Sequence, residues 1–174
     1  MALVVFLAGV GWLIGGLYTL GGRVESFQRV ALPGEGEVSL DHSGSYVIYY
    51  EGAGAAAGNV PAFNVNVKPL SVSAAVQGLE AYTGSLTYSF GSREGRAVLT
   101  LQVASPGRFL IEAPGAPAMP GGSALAVGSS IAGSIVGIAL PGAVLMVVAV
   151  GGAIAVALVR RSRAKRARLP APSP

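Results

Sequence analysis

Residues 131–159 have the sequence IAGSIVGIALPGAVLMVVAVGGAIAVALV, and residues 160–168 continue as RRSRAKRAR. The first stretch belongs to an uncharged run that extends from residue 113 to residue 159, and the second holds six basic residues in nine positions. An uncharged apolar run of more than about 18 residues is typical of a membrane-spanning helix. Lys and Arg concentrate on the cytoplasmic side of such helices. The sequence therefore predicts a span at residues 129–159 and a basic cytoplasmic tail at residues 160–174.

The uncharged run is longer than one span requires. As a single helix, residues 124–159 would measure about 54 Å, against about 30 Å of hydrocarbon in a bilayer. Residues 123–128 (SALAVG) end in a glycine and favour a last β-strand before the span. A hairpin of two short spans turning at Pro141-Gly142 is the alternative, and it leaves each half barely long enough.

A second apolar run lies at residues 1–22, which carry no charged side chain. A signal peptide would begin with basic residues and end in a small-x-small cleavage site, and neither feature is present. Its length of about 20 residues fits a span. We therefore expect residues 1–22 to form a first, uncleaved transmembrane helix.

Both predicted helices carry small residues at spacings of four. Such residues allow a second helix to approach closely within a membrane. We expect the small-residue faces of the two spans to pack against each other, or the helices to contact another membrane protein or a second copy of the chain in a homodimer. The predicted helix-packing residues are Gly11, Gly15, Gly133, Gly137, Ala149 and Ala153.

The region between the spans, residues 23–128, changes to a period of two. Apolar residues alternate with polar ones in seven or eight short runs that are separated by Gly, Pro, Asn and Asp. This pattern is typical of an antiparallel β-sandwich with one buried face per strand. The predicted fold class is mainly β, with a jelly-roll or immunoglobulin-like sandwich between two transmembrane helices. The predicted strands lie around residues 38–40, 46–50, 63–67, 70–76, 86–90, 99–103, 109–111 and 123–128.

The distribution of charge predicts the orientation. Residues 23–112 hold eight acidic and six basic residues, a net charge of −2, and the remaining six basic residues lie in the tail. With two spans, the basic tail places both termini in the cytoplasm and the β region outside it, although Arg23 and Arg29 weakly oppose this. The tail residues also suit anionic lipid headgroups, whereas the lack of interleaved aromatic residues argues against nucleic acid. These tail residues are Arg160, Arg161, Arg163, Lys165, Arg166 and Arg168.

Few residues suggest a catalytic or metal-binding site. The chain has no cysteine, which excludes disulfides and thiolate metal sites. Its only histidine, His42, lies between Asp41 and Ser43, and adjacent residues cannot converge as a catalytic triad does. A Ca²⁺ site at Glu35, Glu37 and Asp41 lacks the loop pattern of known calcium sites. We predict no catalytic residue, no metal and no cofactor.

Three tyrosines are the candidate ligand surface. Tyr46, Tyr49 and Tyr50 lie in one predicted strand, where aromatic rings could stack on a sugar. Strand tyrosines that pack into the core are the commoner case. Both interpretations stay open at the level of sequence.

Several stretches resemble a known group of proteins. Residues 27–34 (FQRVALPG), 44–51 (GSYVIYYE) and 105–112 (SPGRFLIE), with the final span and its Arg-rich tail, are similar to uncharacterised two-span membrane proteins of actinobacteria. The strands that begin Gly44-Ser-Tyr46 and Gly107-Arg-Phe109 also resemble the closing strands of jelly-roll-like accessory domains in secreted proteins. The resemblance implies a membrane-anchored envelope protein and no particular reaction.

The sequence thus predicts a non-enzymatic protein of the cell membrane. Its expected role is that of an interaction or accessory subunit that presents a β-sandwich outside the membrane. A module that binds cell-wall glycan is the alternative, and an enzyme is the least favoured one.

Overall fold

The computed structural model describes residues 2–114, 122–131, 140–141, 143–152 and 154–155. The chain divides into two compact units. The first, which we call the apolar unit, contains residues 1–20 and 133–174. The second, which we call the β unit, contains Gly21–Ala132.

The first helix, α1, runs from Ala2 to Glu25, so it ends beyond the predicted residue 22. Its segment Val4–Glu25 has a mean hydropathy of 1.8, and little of it is buried. Leu7, Trp12 and Ile14 are among the large apolar side chains that it leaves exposed. By length and composition, α1 is a helix that could cross a membrane.

The second apolar segment is described in part. Residues 140–141, 143–152 and 154–155 are helical, and Ala143–Gly152 is a short apolar helix. Ser129 belongs to a β-strand and Ile131 to a bend, so helical structure in the predicted span starts after residue 131. Residues 132–139 and 156–174 lie outside the described residues. The second span therefore stays a prediction.

The β unit contains nine strands in its described residues. β7 is the longest, with 13 residues, and its length lets it pair with three other strands. The strands are β1 (Gln28–Ala31), β2 (Gly34–Leu40), β3 (Gly44–Glu51), β4 (Asn66–Pro69), β5 (Ala75–Ala81), β6 (Thr87–Phe90), β7 (Arg93–Ser105), β8 (Gly107–Ala113) and β9 (Ala124–Ser129).

The strands form two antiparallel sheets. The larger sheet has the order β1-β9-β3-β7-β5, with β6 also paired to β7, and the smaller has the order β2-β8-β4. Apolar residues of both sheets form one buried core, since Val38 and Phe109 of the smaller sheet join Ile48 and Leu101 of the larger one. The predicted mainly β, antiparallel fold is confirmed in this form.

Two predicted strands are misplaced, and one strand was missed. Residues 70–74 form a turn in which Ala74 N–H donates to Ser71 O, and Val72 is fully exposed. Leu70, Val72 and Ala74 alternate with polar residues as a strand would, but β4 ends at Pro69 and β5 starts only at Ala75. Phe63 lies before the start of β4 and packs against the core from a loop. The short strand β1 escaped prediction because four residues carry too little alternation.

The expectation of one buried face per strand is wrong for β3. Its residues 47–51 are all buried, so side chains on both faces of this central strand are covered. Ile48 and Tyr50 belong to the core between the sheets, whereas Val47 and Tyr49 point to the opposite face. The larger sheet therefore carries a second buried layer on its outer face.

Candidate functional site

The second buried layer is built on three aromatic rings. Phe27, in the connection from α1 to β1, stacks on Tyr49 with a centroid distance of 5.1 Å and an interplanar angle of 12°. Tyr88 of β6 meets Tyr49 edge-on at 5.4 Å and Phe27 at 6.2 Å. These are the favoured geometries for aromatic pairs. We call Phe27, Tyr49 and Tyr88, together with Arg29 and Glu51, the junction cluster.

Small residues of the sheet make room for these rings. In the antiparallel register Tyr49 lies between Ala97 of β7 and Ala126 of β9. A Cβ atom added to Gly128 would collide with the ring of Phe27, and one added to Gly95 would collide with the ring of Tyr88. Small residues at alternate strand positions, Gly95 with Ala97 and Ala126 with Gly128, leave room for large side chains on that face of the sheet. This pattern in the sequence could have predicted that aromatic residues cover the sheet there.

A buried carboxylate lies beside the aromatic layer. Glu51, at the end of β3, is 6% exposed. Arg29 of β1 binds it through two hydrogen bonds, Nε to Oε2 at 2.8 Å and a terminal nitrogen to Oε1 at 2.9 Å. Tyr88 donates its hydroxyl to Oε1 at 2.6 Å, and Arg93 lies 3.5 Å from Oε2. The negative charge is thus paired and its oxygens are occupied, as burial requires.

The same arginine closes the last turn of α1. Its terminal nitrogens donate to the backbone oxygens of Val24 at 2.7 Å, Glu25 at 3.1 Å and Phe27 at 2.8 Å. The last carbonyls of a helix have no partner within the helix, and a basic side chain at that end satisfies them. With its two bonds to Glu51, Arg29 uses all five of its N–H donors. Arg29 therefore ties the helix end to the sheet.

Burial and these contacts shift the pKa values of the cluster. Burial of the Glu51 carboxylate acts to raise its pKa, but the hydrogen bonds from Arg29 and Tyr88 and the nearby positive charges outweigh it, so that pKa is lowered. Burial, reinforced by the bond to Glu51, raises the pKa of Tyr88. Burial raises the pKa of Tyr49 to about 12. At neutral pH the cluster therefore holds an ionised Glu51 and neutral tyrosines.

The chain that leaves β9 reaches the same cluster. The N–H of Ile131 donates to the Tyr49 hydroxyl at 3.3 Å, and the Ile131 side chain is buried. Tyr49 thus contacts Phe27 on the entering side of the β unit and Ile131 on the leaving side. Both connections of the β unit to the apolar segments are attached at one place.

The predicted tyrosine surface does not form. Tyr49 is 0% exposed and Tyr50 is 2% exposed. Tyr49 belongs to the junction cluster, and Tyr50 lies in the core near Phe63 with its hydroxyl 3.2 Å from Ser123 Oγ. Only Tyr46 is part-exposed. Because neighbouring side chains of a strand point to opposite faces, the three rings could not form one platform.

The predicted helix-packing residues are described in part. A Cβ atom on Gly11 or Gly15 would meet no atom of the described chain within 4 Å. Ala149 is 5% exposed. Gly133, Gly137, Ala153 and the basic residues of the tail lie outside the described residues.

The acidic residues weighed as calcium ligands are not brought together. Glu37 pairs with Arg108 at 3.0 Å, Glu35 faces Glu112 across β2 and β8, and Asp41 Oδ1 lies 3.4 Å from Ser39 Oγ. Within the described residues, no group of three His, Asp or Glu side chains is placed to hold a metal ion.

His42 and Asp41 line a cleft of the β unit of about 450 Å³. It is lined by residues 39–43 and 45–46, at the turn between β2 and β3, and by residues 26–28 and 127–129. We call this feature the polar cleft. The backbone N–H of His42 donates to the Tyr46 hydroxyl at 3.2 Å, and that hydroxyl donates to His42 O at 3.1 Å. Tyr46 therefore holds the turn in place from within the cleft.

Comparison of the chain with protein-family models, with curated proteins and with solved structures finds no match.

Proposed function

We propose that this protein is a non-enzymatic, membrane-anchored envelope protein that acts as an interaction or accessory subunit. In this proposal α1 and the apolar segment before the basic tail both cross the membrane. Both termini lie in the cytoplasm, and the β unit, a sandwich of jelly-roll or immunoglobulin-like type, lies outside. We also propose that the chain is related to the two-span actinobacterial membrane proteins that its sequence resembles.

One observation carries the proposal: the last turn of an exposed apolar helix is bound into the β unit through Arg29. Water is an unfavourable surrounding for the apolar side chains along α1, whereas hydrocarbon suits them. A removable signal peptide has no need of a helix end that is hydrogen-bonded to a folded sheet. A signal peptide is cleaved after small residues. The candidates here, Gly21 and Gly22, lie inside the continuous helix Ala2–Glu25. The arrangement supports an uncleaved anchor.

The junction cluster supports the role of a subunit rather than that of an enzyme. The oxygens of Glu51 are occupied by Arg29, Tyr88 and Arg93, which leaves this buried carboxylate poorly placed to act on a substrate. The contacts instead join the two connections of the β unit.

The absence of cysteine makes the topology directly measurable. Single-cysteine variants are labelled in intact cells with a maleimide that cannot cross membranes. We expect Val72→Cys, at a fully exposed turn, to be labelled from outside, and Ser162→Cys, in the tail, to be labelled only after permeabilisation. Val47→Cys, buried in the β unit, serves as the control that is labelled only in denaturant. Labelling of Ser162→Cys but not Val72→Cys in intact cells would contradict the orientation.

The partner is tested by cross-linking in intact membranes, followed by isolation in mild detergent. We expect either a stoichiometric membrane protein or a homodimer. Gly11→Leu should abolish the cross-link, since close approach of a helix needs a small residue there. Ile14→Leu, which keeps side-chain volume on the same helix, should not. A chain that is monomeric and alone under all these conditions would contradict the role of a subunit.

A further inference from the structure

We propose that the polar cleft binds a neutral sugar ring. The cleft volume of about 450 Å³ falls in the range of small-molecule sites, about 300–1,000 Å³. This inference goes beyond the proposed anchoring role and stands on the chemistry of the cleft. Only the expectation that the sugar is carried by a lipid rests on that role.

The cleft offers one part-exposed aromatic ring, that of Tyr46. Phe27, Leu40 and Val127 also line the cleft, but they are buried and leave little apolar surface to a ligand. The Tyr46 hydroxyl is held by the backbone of His42. A sugar ring has an apolar C–H face that packs on such an aromatic ring, and the fixed tyrosine loses little conformational freedom on binding.

The rim of the cleft is rich in neutral hydrogen-bonding groups. It carries the hydroxyls of Ser26, Ser39, Ser43, Ser45 and Ser129. The Gln28 amide accepts from Ser39 N–H and donates to Ser39 O, so this part of the rim is already ordered. Among the described residues, the side chains of His42 and Ser43 make no hydrogen bond and remain available to a ligand. Hydroxyl and imidazole groups both donate and accept, as the hydroxyls of a sugar do.

The charge of the cleft selects against anions. Its lining contains the carboxylate of Asp41 and no Lys or Arg. A phosphate or a nucleotide would meet the Asp41 carboxylate and no Lys or Arg of the lining, whereas a carboxylate is a strong acceptor for sugar hydroxyls. The chemistry therefore favours a neutral polyol over a phosphorylated ligand.

The position of the cleft suggests the source of the sugar. The lining includes residues 26–28, which follow α1 in the chain, and residues 127–129 of β9, which precede the second apolar segment. In the proposed topology these connections lie next to the membrane surface. A glycolipid headgroup would then reach the cleft from the bilayer, and a soluble glycan would reach it from the outside. Both carry the same ring chemistry, which the experiment can separate.

The single histidine makes His42 a unique reporter. The full chain, labelled with ¹³C-histidine, is placed in phosphatidylglycerol nanodiscs, and the imidazole resonance is followed by NMR. One arm adds methyl glucoside or cellobiose in solution, and the other uses nanodiscs that contain monoglucosyldiacylglycerol. Inorganic phosphate is the anion probe. We expect a saturable shift with at least one sugar probe and none with phosphate.

Exposed variants test the assignment without disturbing the core. Asp41→Asn should weaken the response about tenfold, because a hydrogen bond to a charged group is lost, and Ser43→Ala should weaken it about fivefold. Glu80→Gln, an exposed acidic residue of β5 outside the cleft, should leave it unchanged. A response to the lipid alone supports a membrane-borne sugar, and one to the soluble probes supports a free glycan.

Three results would overturn the proposal: no saturable shift with any sugar, a shift with phosphate in place of sugar, or a sugar response that Asp41→Asn and Ser43→Ala leave intact. The soluble arm does not depend on topology. Sugar binding together with cytoplasmic labelling of Val72→Cys would therefore reject the proposed orientation and keep the sugar site.

Discussion

Replacing Arg29 by methionine tests how the helix end is held to the β unit. Methionine keeps much of the side-chain volume but removes the charge and all five donors. Glu51 would remain buried with only Tyr88 and the more distant Arg93 as partners. The carbonyls of Val24, Glu25 and Phe27 would lose their donors in the same step.

The expected loss in the free energy of unfolding follows from the burial of the Arg29–Glu51 pair. The Arg29 and Glu51 side chains are 20% and 8% exposed, so solvent screens the pair only partly. Removing one partner of a buried pair costs about 3–5 kcal/mol, and the partial exposure of Arg29 places the expected loss near the lower end, about 3 kcal/mol. Arg29→Lys should recover little of this, because an ammonium cannot bind the carboxylate at two points and reach three carbonyls.

The chain supplies a matched control in Arg108 and Glu37. This pair has a similar distance, 3.0 Å, but its side chains are 62% and 45% exposed. Arg108→Met should cost less than about 1 kcal/mol. In double-mutant cycles, Arg29→Met with Glu51→Gln should show a coupling of at least about 1.5 kcal/mol, and Arg108→Met with Glu37→Gln less than about 0.5 kcal/mol.

The assay is urea unfolding in mild detergent, followed by circular dichroism of the β-sheets. Hydrogen exchange gives a local readout, since the N–H groups of Ser26 and Phe27 bond to Gly22 O and Val24 O in the last turn of α1. Both amides should exchange faster in Arg29→Met and not in Arg108→Met. Equal stability losses at Arg29 and Arg108, with additive double variants, would refute the assignment of Arg29 as the link between helix and sheet.

Two further predictions concern the aromatic layer. Gly128→Ala should lower the free energy of unfolding by about 1–3 kcal/mol, because the added methyl group collides with the ring of Phe27, whereas Gly78→Ala, with open space around it, should change it by less than about 0.5 kcal/mol. Equal effects at the two glycines would contradict the close packing. The raised pKa values of Tyr49 and Tyr88 mean that folding favours their neutral forms. Their contribution is complete below the unfolded pKa of about 10 and is lost as pH rises toward the folded values, by about 1.4 kcal/mol per pH unit for each tyrosine. Urea unfolding at several alkaline pH values should show this slope, and Tyr49→Phe should reduce it; an unchanged slope would show that Tyr49 does not titrate in this way.

Short-range sequence patterns were enough to predict the N-terminal helix and several of the strands. Twenty-two residues without a charge predicted the N-terminal apolar helix, because helix length and apolar composition are properties of a continuous stretch. Alternation around residues 38–40, 46–50 and 99–103 predicted strands that the fold contains, because a buried sheet face imposes a period of two. The turn at residues 70–74 shows the limit of that signal, since three alternate apolar residues also occur where Pro69 has ended the strand.

The tertiary structure alone decided what lies on the outer face of the larger sheet. Arg29 and Glu51 are 22 residues apart in the chain, and Tyr88 is 37 residues beyond Glu51. No local pattern pairs them, because strand order and register bring them together. The same strand pairing places Ala97 and Ala126 beside Tyr49. Tyr49, which the sequence offered as part of a ligand-binding surface, is therefore buried in the aromatic layer. A sequence determines which segments can become helix or strand through short-range periodicity, whereas the partner of a buried charge depends on long-range packing that fills space and leaves no charge unpaired.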